Sequence, residues 1–126
     1  MTTGSVLVTG GTGFLGRALV ERLLSVGNLV KALARSDASS SALGALGAEP
    51  VRGDVLDLEA LAATMRGCDV VYHAAGANAF CLRDPSPMFE VNVRGSRNVV
   101  LAAAITVMSA VEYLARFSSA FSGGAR

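Results

Sequence analysis

Thr9-Gly10-Gly11-Thr12-Gly13-Phe14-Leu15-Gly16 stands between an apolar run, Ser5 to Thr9, and a segment of helical period, Phe14 to Val26. Glycines therefore fall where a strand must turn sharply into a helix, as G-x-G-x-x-G at Gly11, Gly13 and Gly16, or as G-x-x-G-x-x-G counted from Gly10. Gly10 can take the positive φ of the tight turn, and Gly16 lets the helix lie close on the strand. A side chain at Gly13 would hold the backbone away from a phosphate. The first helical N–H groups have no intrahelical acceptor, so they suit a pyrophosphate. Glycines alone would fit a surface loop equally well; a strand before them and a helix after them favour the phosphate-binding turn.

Outward from that loop, strand and helix alternate. Val6 to Val8 is a continuous apolar run, as a central strand covered on both faces requires. The following helix is expected to face inward with Leu15, Leu19, Leu23 and Val26 and to end at Gly27. A second strand runs from about Leu29 to Ala34. Ser36 to Gly47 is small and polar, expected as a loop plus a short helix around Leu43 and Leu46. Glu49 to Arg52 forms a third strand, and Pro50, which cannot donate to a ladder, places it at a sheet edge. Asp57 caps a helix through Met65 that points Leu58 and Leu61 inward and stops at Gly67; Asp69 to Ala75 is the fourth strand. This spacing implies an α/β fold with a doubly wound parallel sheet and right-handed crossovers.

Composition limits what such a sheet can belong to. The 126 residues make one domain, able to bury roughly two-thirds of the unfolded surface. Apolar residues are 52% and charged residues 17%, which excludes disordered and fibrous classes. The apolar segments read as too interrupted to span a membrane. A formal net charge of +1 gives no basic field for nucleic acid, and the N-terminus runs straight into a strand without a signal peptide. Cys68 and Cys81 lack CxxC spacing and histidine companions, so reduced thiols in a cytoplasmic protein are expected rather than a disulfide or a metal site.

Four motifs together, Thr9 to Gly16, Gly53-Asp54-Val55-Leu56-Asp57, His73-Ala74-Ala75-Gly76 and Asn92-Val93-Arg94-Gly95-Ser96-Arg97-Asn98, resemble the N-terminal, cofactor-binding half of extended short-chain dehydrogenases/reductases. That group includes NAD-dependent epimerases/dehydratases, dihydroflavonol reductases and 3β-hydroxysteroid dehydrogenases. The resemblance covers residues 5 to about 104 and implies a Rossmann-like sheet of order 3-2-1-4. It also implies that the Asp54 carboxylate accepts from the adenine amino group and that the Val55 backbone touches the ring. Ala74, Ala75 and Gly76 are then small so that ribose and nicotinamide can pass the ends of the strands. His73, the only histidine, matches a packing position rather than a catalytic one. Asn92 matches an asparagine that supports the active site from behind. Arg94 and Arg97 read as solvated.

The coenzyme depends on Ala34-Arg35-Ser36-Asp37, at the end of the second strand. An acid there holds a 2′-hydroxyl, whereas an arginine accommodates a 2′-phosphate. Arg35, with Ser36 as a second donor, favours NADP; Asp37 keeps NAD as the alternative.

Beyond Ser86-Pro87, which opens a helix with N-cap and N1 residues, the expected apolar stripe is Phe89, Val93, Val100, Ala104 and Val107. The pattern then departs from the family. Helical spacing continues through Val107, Val111 and Leu114 where a fifth strand should begin. Phe117-Ser118-Ser119-Ala120 resembles that strand's end, with Ser119 as the matching catalytic hydroxyl, but Ala115-Arg116 is a poor approach for a buried strand. Residues 1–106 thus read as the dinucleotide-binding domain, and residues 107–126 as an atypical extension, a continued helix or a polar tail. Without a fifth strand, the fourth offers Val70, Val71 and Tyr72 as an edge for self-association.

The family's chemistry needs Tyr-x-x-x-Lys on one helix face, the lysine lowering the tyrosine's pKa. Tyr72 and Tyr113 are followed four residues later by Gly76 and Phe117, and the only lysine is Lys31. Either the chain is incomplete, and a completed one would act on a small-molecule substrate, or it is a dinucleotide-binding module, sensor or pseudo-enzyme without the family's catalysis.

Overall fold

In the computed structural model, which describes residues 4–77 and 83–122 and side chains no further than Arg116, the apolar run is strand β1 (Ser5–Thr9). Val6 through Thr9 are all buried, because both faces of the strand are covered. Strand β2 (Leu29–Ala34) lies on one side of it and β4 (Val70–His73) on the other, with β3 (Glu49–Arg52) outside β2. All pairings are parallel, and the order is β3-β2-β1-β4. Pro50 is on the outer strand, opposite Ala32, where its missing N–H costs no interior ladder bond.

Alternation along β1 divides the core. Val6 and Val8 join Val20 and Leu23 of helix α1 (Phe14–Ser25) and Leu43 of α2 (Asp37–Leu46). Leu7 faces the opposite layer, with Leu61 and Met65 of α3 (Leu58–Met65). That second layer also receives Val99 and Ala102 from a long helix made of α4 (Ser86–Phe89), a π-helical stretch Glu90–Gly95 and α5 (Ser96–Ser122). Each fully buried aliphatic side chain contributes about 1.5–3 kcal/mol.

Local signals explain where the helices start and stop. The Asp57 side chain accepts the Ala60 N–H at 3.0 Å and begins α3, and Gly67 follows its end with φ 76°. Helix α2 occupies the whole of the segment expected as a loop plus a short helix. Ser36 Oγ accepts the Ser39 N–H at 3.1 Å, so the helix starts at Asp37, and Gly47 closes it in the left-handed region at φ 97°.

Two expected helix faces are corrected. In α1 the buried residues are Gly16, Val20 and Leu23, while Leu15 and Val26 are exposed. Gly16 sets the phase: a Cβ there would overlap the Gly10 carbonyl oxygen, so this residue must face the strand, and the residues four and seven positions on follow it inward. In the long helix, Phe89, Val93, Val100 and Val107 are exposed, and Gly95, Asn98, Val99 and Ala102 are buried instead. The π-helical stretch takes more residues per turn than an α-helix and rotates everything after it. Small residues then come to face α3, which allows close approach; a Cβ on Gly95 would lie 2.7 Å from Val55 Cγ2.

Helix α5 continues to Ser122, replacing the polar tail, and the described residues form no fifth strand. No glycine or proline interrupts Ser96 to Ser122. The helix outruns the sheet, and every residue from Val107 to Arg116 is exposed. By length and composition alone its span Ser86–Arg116, 31 residues, could cross a membrane, so the expectation of segments too interrupted for that does not hold here. Its turns from Gly95 to Ala103 are packed in the domain core.

This contrast between the two halves of the helix layer is testable by denaturant unfolding. Leu61→Ala, which empties a fully buried position, should cost about 2–5 kcal/mol. Val111→Ala on the overhang should change stability by less than about 0.5 kcal/mol. Equal losses would mean that the overhang is packed against the domain.

Candidate functional site

The turn after β1 is built by contacts that only glycine permits. Gly10 has φ 72°, and a Cβ on it would strike the backbone of Ala74 and Ala75 at the end of β4. The Gly13 N–H returns to the Gly10 carbonyl at 3.0 Å, and Arg17 N–H to the Gly13 carbonyl at 2.9 Å, which closes the first turn of α1. Gly11 is packed instead of open: a Cβ there would meet Leu43 Cδ2 at 2.9 Å. Gly13 differs from all of these. Its backbone is extended, it lines the cleft, and a Cβ built on it would meet only the Gly10 carbonyl oxygen, at a tight 3.3 Å.

The N-terminus of α1 has neither a side-chain cap nor an acidic residue in its first turn. Its first N–H groups and the positive end of its dipole are left for an external anion. They overlook a cleft of about 250 Å³ at the C-terminal ends of the strands. Gly10, Thr12 and Gly13 line one wall, and Ala74, Ala75, Gly76 and Ala77 the facing one. Arg35, at the end of β2, lines the far end together with Ser39, and Leu33, Val55 and Val91 supply apolar surface. Gly11, Gly16, Ser36 and Asp54 contribute to the site's frame without lining the cleft, and Phe14 and Leu15, which do not line it either, have exposed side chains.

The charged residues at the far end differ in what they are free to do. Asp37 pairs with Arg52 at 3.2 Å, on an exposed surface. Arg35 forms no ion pair among the described residues, and Ser36 Oγ caps α2 by accepting the Ser39 N–H and lies 2.9 Å from Ser39 Oγ. Asp54 Oδ1 accepts the Leu56 N–H at 3.0 Å, holding the loop that presents Val55. The Val55 carbonyl is taken by Asn98 Nδ2 at 3.0 Å. Asn98 is buried, and its role escaped the sequence; its spacing from Gly95 and Ala102 on one helix face was the available signal. Gly53 is explained by packing, since a Cβ there would lie 2.8 Å from Leu33 Cδ1.

Behind the Ala74–Ala77 wall, His73 is flanked by two hydroxyls. Nδ1 lies 2.6 Å from Thr9 Oγ1 and Nε2 lies 3.0 Å from Ser96 Oγ. Burial pushes its pKa below the ordinary value of 6.5, toward the neutral form. Asn92 holds Ala77 by two bonds, accepting its N–H at 2.7 Å and donating to its carbonyl at 2.9 Å. Thr9 and Ser96 were not singled out in the sequence, because their roles depend on which strand and helix lie beside β4.

The remaining candidates are dispersed. Tyr72 is on β4 beside Val8 of β1, Lys31 is on β2, and Tyr113 is on the exposed overhang of α5. Ser119 falls within α5, and its side chain, like Cys81, lies outside what is described. Cys68 is a free, partly buried thiol.

Comparison with known proteins agrees with this architecture. A ketoreductase of Stigmatella aurantiaca acting on 4-hydroxy-2-methyl-3-oxo-4-farnesyl-3,4-dihydroquinoline-1-oxide is 41% identical over 96 residues, covering 76% of this chain and 28% of its own length. The 2-alkyl-3-oxoalkanoate reductase of Shewanella oneidensis is 36% identical over 116 residues, 92% of this chain and 29% of that protein. A short-chain dehydrogenase/reductase superfamily protein of Agrobacterium tumefaciens, solved with bound NAD, superposes with a TM-score of 0.67 at 31% identity, over 81% of this chain and 29% of that one. The chain thus spans less than a third of the length of each of these relatives. The profile of the NAD dependent epimerase/dehydratase family matches residues 6–124, and with the glycine turn, the parallel 3-2-1-4 sheet and the cleft at its strand ends, the chain belongs to that family.

Proposed function

We propose that this chain is the dinucleotide-binding half of an NAD(P)-dependent oxidoreductase or epimerase/dehydratase, that it takes NADP(H) in preference to NAD(H), and that by itself it binds without turnover. The observation that carries the first part is the uncapped N-terminus of α1 opening on a cleft whose two walls meet in backbone contact at Gly10 and Ala74. A pyrophosphate matches that donor set: the Gly13 N–H is taken by the Gly10 carbonyl, the first α1 residues, Phe14 to Gly16, offer their N–H groups, and no acidic residue in the first turn opposes the charge. The preference rests on Arg35, which lines the cleft while Asp37 is turned to Arg52. A guanidinium binds a 2′-phosphate by charge-assisted, bidentate hydrogen bonds that a 2′-hydroxyl cannot match.

When bound, the nicotinamide would supply hydride chemistry at a carbinol or carbonyl carbon. The residues of this chain would bind and orient it, and none of those described supplies the acid–base step. A general acid must lie within about 2.6–3.2 Å of the reacting oxygen, and neither Tyr72 nor Tyr113 has a lysine four residues on. The second reading, a non-catalytic dinucleotide sensor or pseudo-enzyme, is favoured by the same missing Tyr-x-x-x-Lys. A longer reading frame containing that pair would decide between the two.

Three outcomes are expected. Gly13→Val fits the extended backbone but sets a Cβ about 3.3 Å from the Gly10 carbonyl oxygen, so a variant whose circular dichroism and unfolding midpoint show that it remains folded should lose NADP(H) binding by calorimetry; undiminished affinity would refute the phosphate assignment. Arg35→Asp should shift the ratio of NADP to NAD dissociation constants at least about tenfold toward NAD, or about 1.4 kcal/mol; an unchanged ratio would make Arg35 a loop charge. The purified chain with NADPH and a panel of carbonyl substrates should show no sustained loss of reduced-nicotinamide absorbance. Sustained oxidation abolished by Ser119→Ala would show that the chain carries its own catalytic hydroxyl.

A further inference from the structure

The hydrogen bonds around His73 have only one consistent direction. Ser96 Oγ has a single proton, and it donates to the Asn92 carbonyl at 2.7 Å, which can only accept. Toward His73, at 3.0 Å, Ser96 must therefore accept, which puts the imidazole proton on Nε2. In the neutral ring Nδ1 is then bare and accepts from Thr9 Oγ1 at 2.6 Å. Thr9 Oγ1 keeps a lone pair for the Ala75 N–H at 3.2 Å. The chain of bonds thus runs without a gap from the Ala75 amide through Thr9, His73 and Ser96 to the backbone of Asn92, whose side chain holds Ala77 by two further bonds.

Both ends of this chain are on the cleft wall, since Ala75 and Ala77 line it. Its anchors are on different elements: Thr9 ends β1, fully buried, and Ser96 opens α5 directly after the π-helical stretch. The imidazole spans the gap between them. Without it the Thr9 hydroxyl loses its acceptor in a place that water does not reach, and the wall loses its tie to the helix layer.

We propose that His73, as the neutral Nε2–H tautomer, is a positioning residue that joins Thr9 to Ser96 and so holds the Ala74–Ala77 wall at the distance from the Gly10–Gly13 turn at which a dinucleotide fits, on the dinucleotide reading above. The residue acts through the backbone that it fixes and makes no contact with ligand in this role. A histidine that merely fills space would need neither a fixed tautomer nor directional partners.

Two measurements test this, one of them independent of any cofactor. In the 15N- and 13C-labelled chain without ligand, His73 should show one tautomer, with Nε2 protonated and Nδ1 bare; an Nδ1–H or averaged signal overturns the proposal. His73→Phe, which keeps an aromatic ring of similar size, should remain folded and accelerate amide exchange at Ala75 and Ala77 by at least about tenfold relative to Ala32 and Leu33 in β2. His73→Asn, which restores an acceptor for Thr9 only, should recover protection at Ala75 and not at Ala77. Calorimetry with NADPH should show the phenylalanine variant binding at least about tenfold more weakly. Parental affinity in that variant sinks the positioning role and leaves the functional reading intact. A parent chain that binds no dinucleotide sinks the functional reading and the proposed purpose of the wall together, while the tautomer and exchange results still decide whether the tie itself exists.

Discussion

Much of this fold follows from one steric constraint, the contact between backbones where the first helix turns off the central strand. Gly10 touches Ala74 and Ala75, and Gly16 touches Gly10, at distances that leave no room for a β-carbon. With those atoms in contact, the axis of α1 is fixed over the ends of β1 and β4, and its N-terminal N–H groups face the cleft. The inward face of α1 must then begin at Gly16, which is why Val20 and Leu23 fill the core and Leu15 does not. The same contact that costs the chain its side chains at the turn gives it a place where an anion meets bare backbone.

A second close approach organises the other layer. Gly95 lies against Val55, and three residues later Asn98 takes the Val55 carbonyl, so the loop carrying Asp54 is tied to the helix that also holds Ala77 through Asn92. The π-helical stretch makes these ties compatible, since it rotates Asn92, Gly95, Ser96 and Asn98 into their separate tasks within a few residues. After Thr106 the helix has no further sheet to cover, and its apolar residues Val107, Met108, Val111 and Leu114 are exposed.

What the sequence disclosed and what it hid divide along physical lines. The strands and the glycine turn were legible because they depend on local signals, apolar runs, a proline that must sit at an edge and glycines between a strand and a helix, whereas the order of the strands came from the family resemblance of the four motifs together. Cap residues such as Asp57 were legible for the same reason. The inward faces of α1 and α5 were misread because hydrophobicity was taken as the guide, whereas the contacts are set by residues that have almost no side chain, Gly16, Gly95 and Ala102. Ser36, read as a donor beside Arg35, also caps α2 by accepting the Ser39 N–H. The Thr9, His73 and Ser96 chain could not be read at all: its members are 64 and 23 positions apart, and only the β1–β4 register and the phase shift of the helix bring them together.

The central claim, that the turn and its facing wall together receive a dinucleotide, is most directly tested by titrating the 15N-labelled chain with NADPH and following the backbone amides. The account predicts saturable shifts concentrated at residues 10–15, at Arg35 and at residues 74–77, with little change at residues 107–116. No saturable shifts, or shifts centred on the overhanging end of α5, would contradict it.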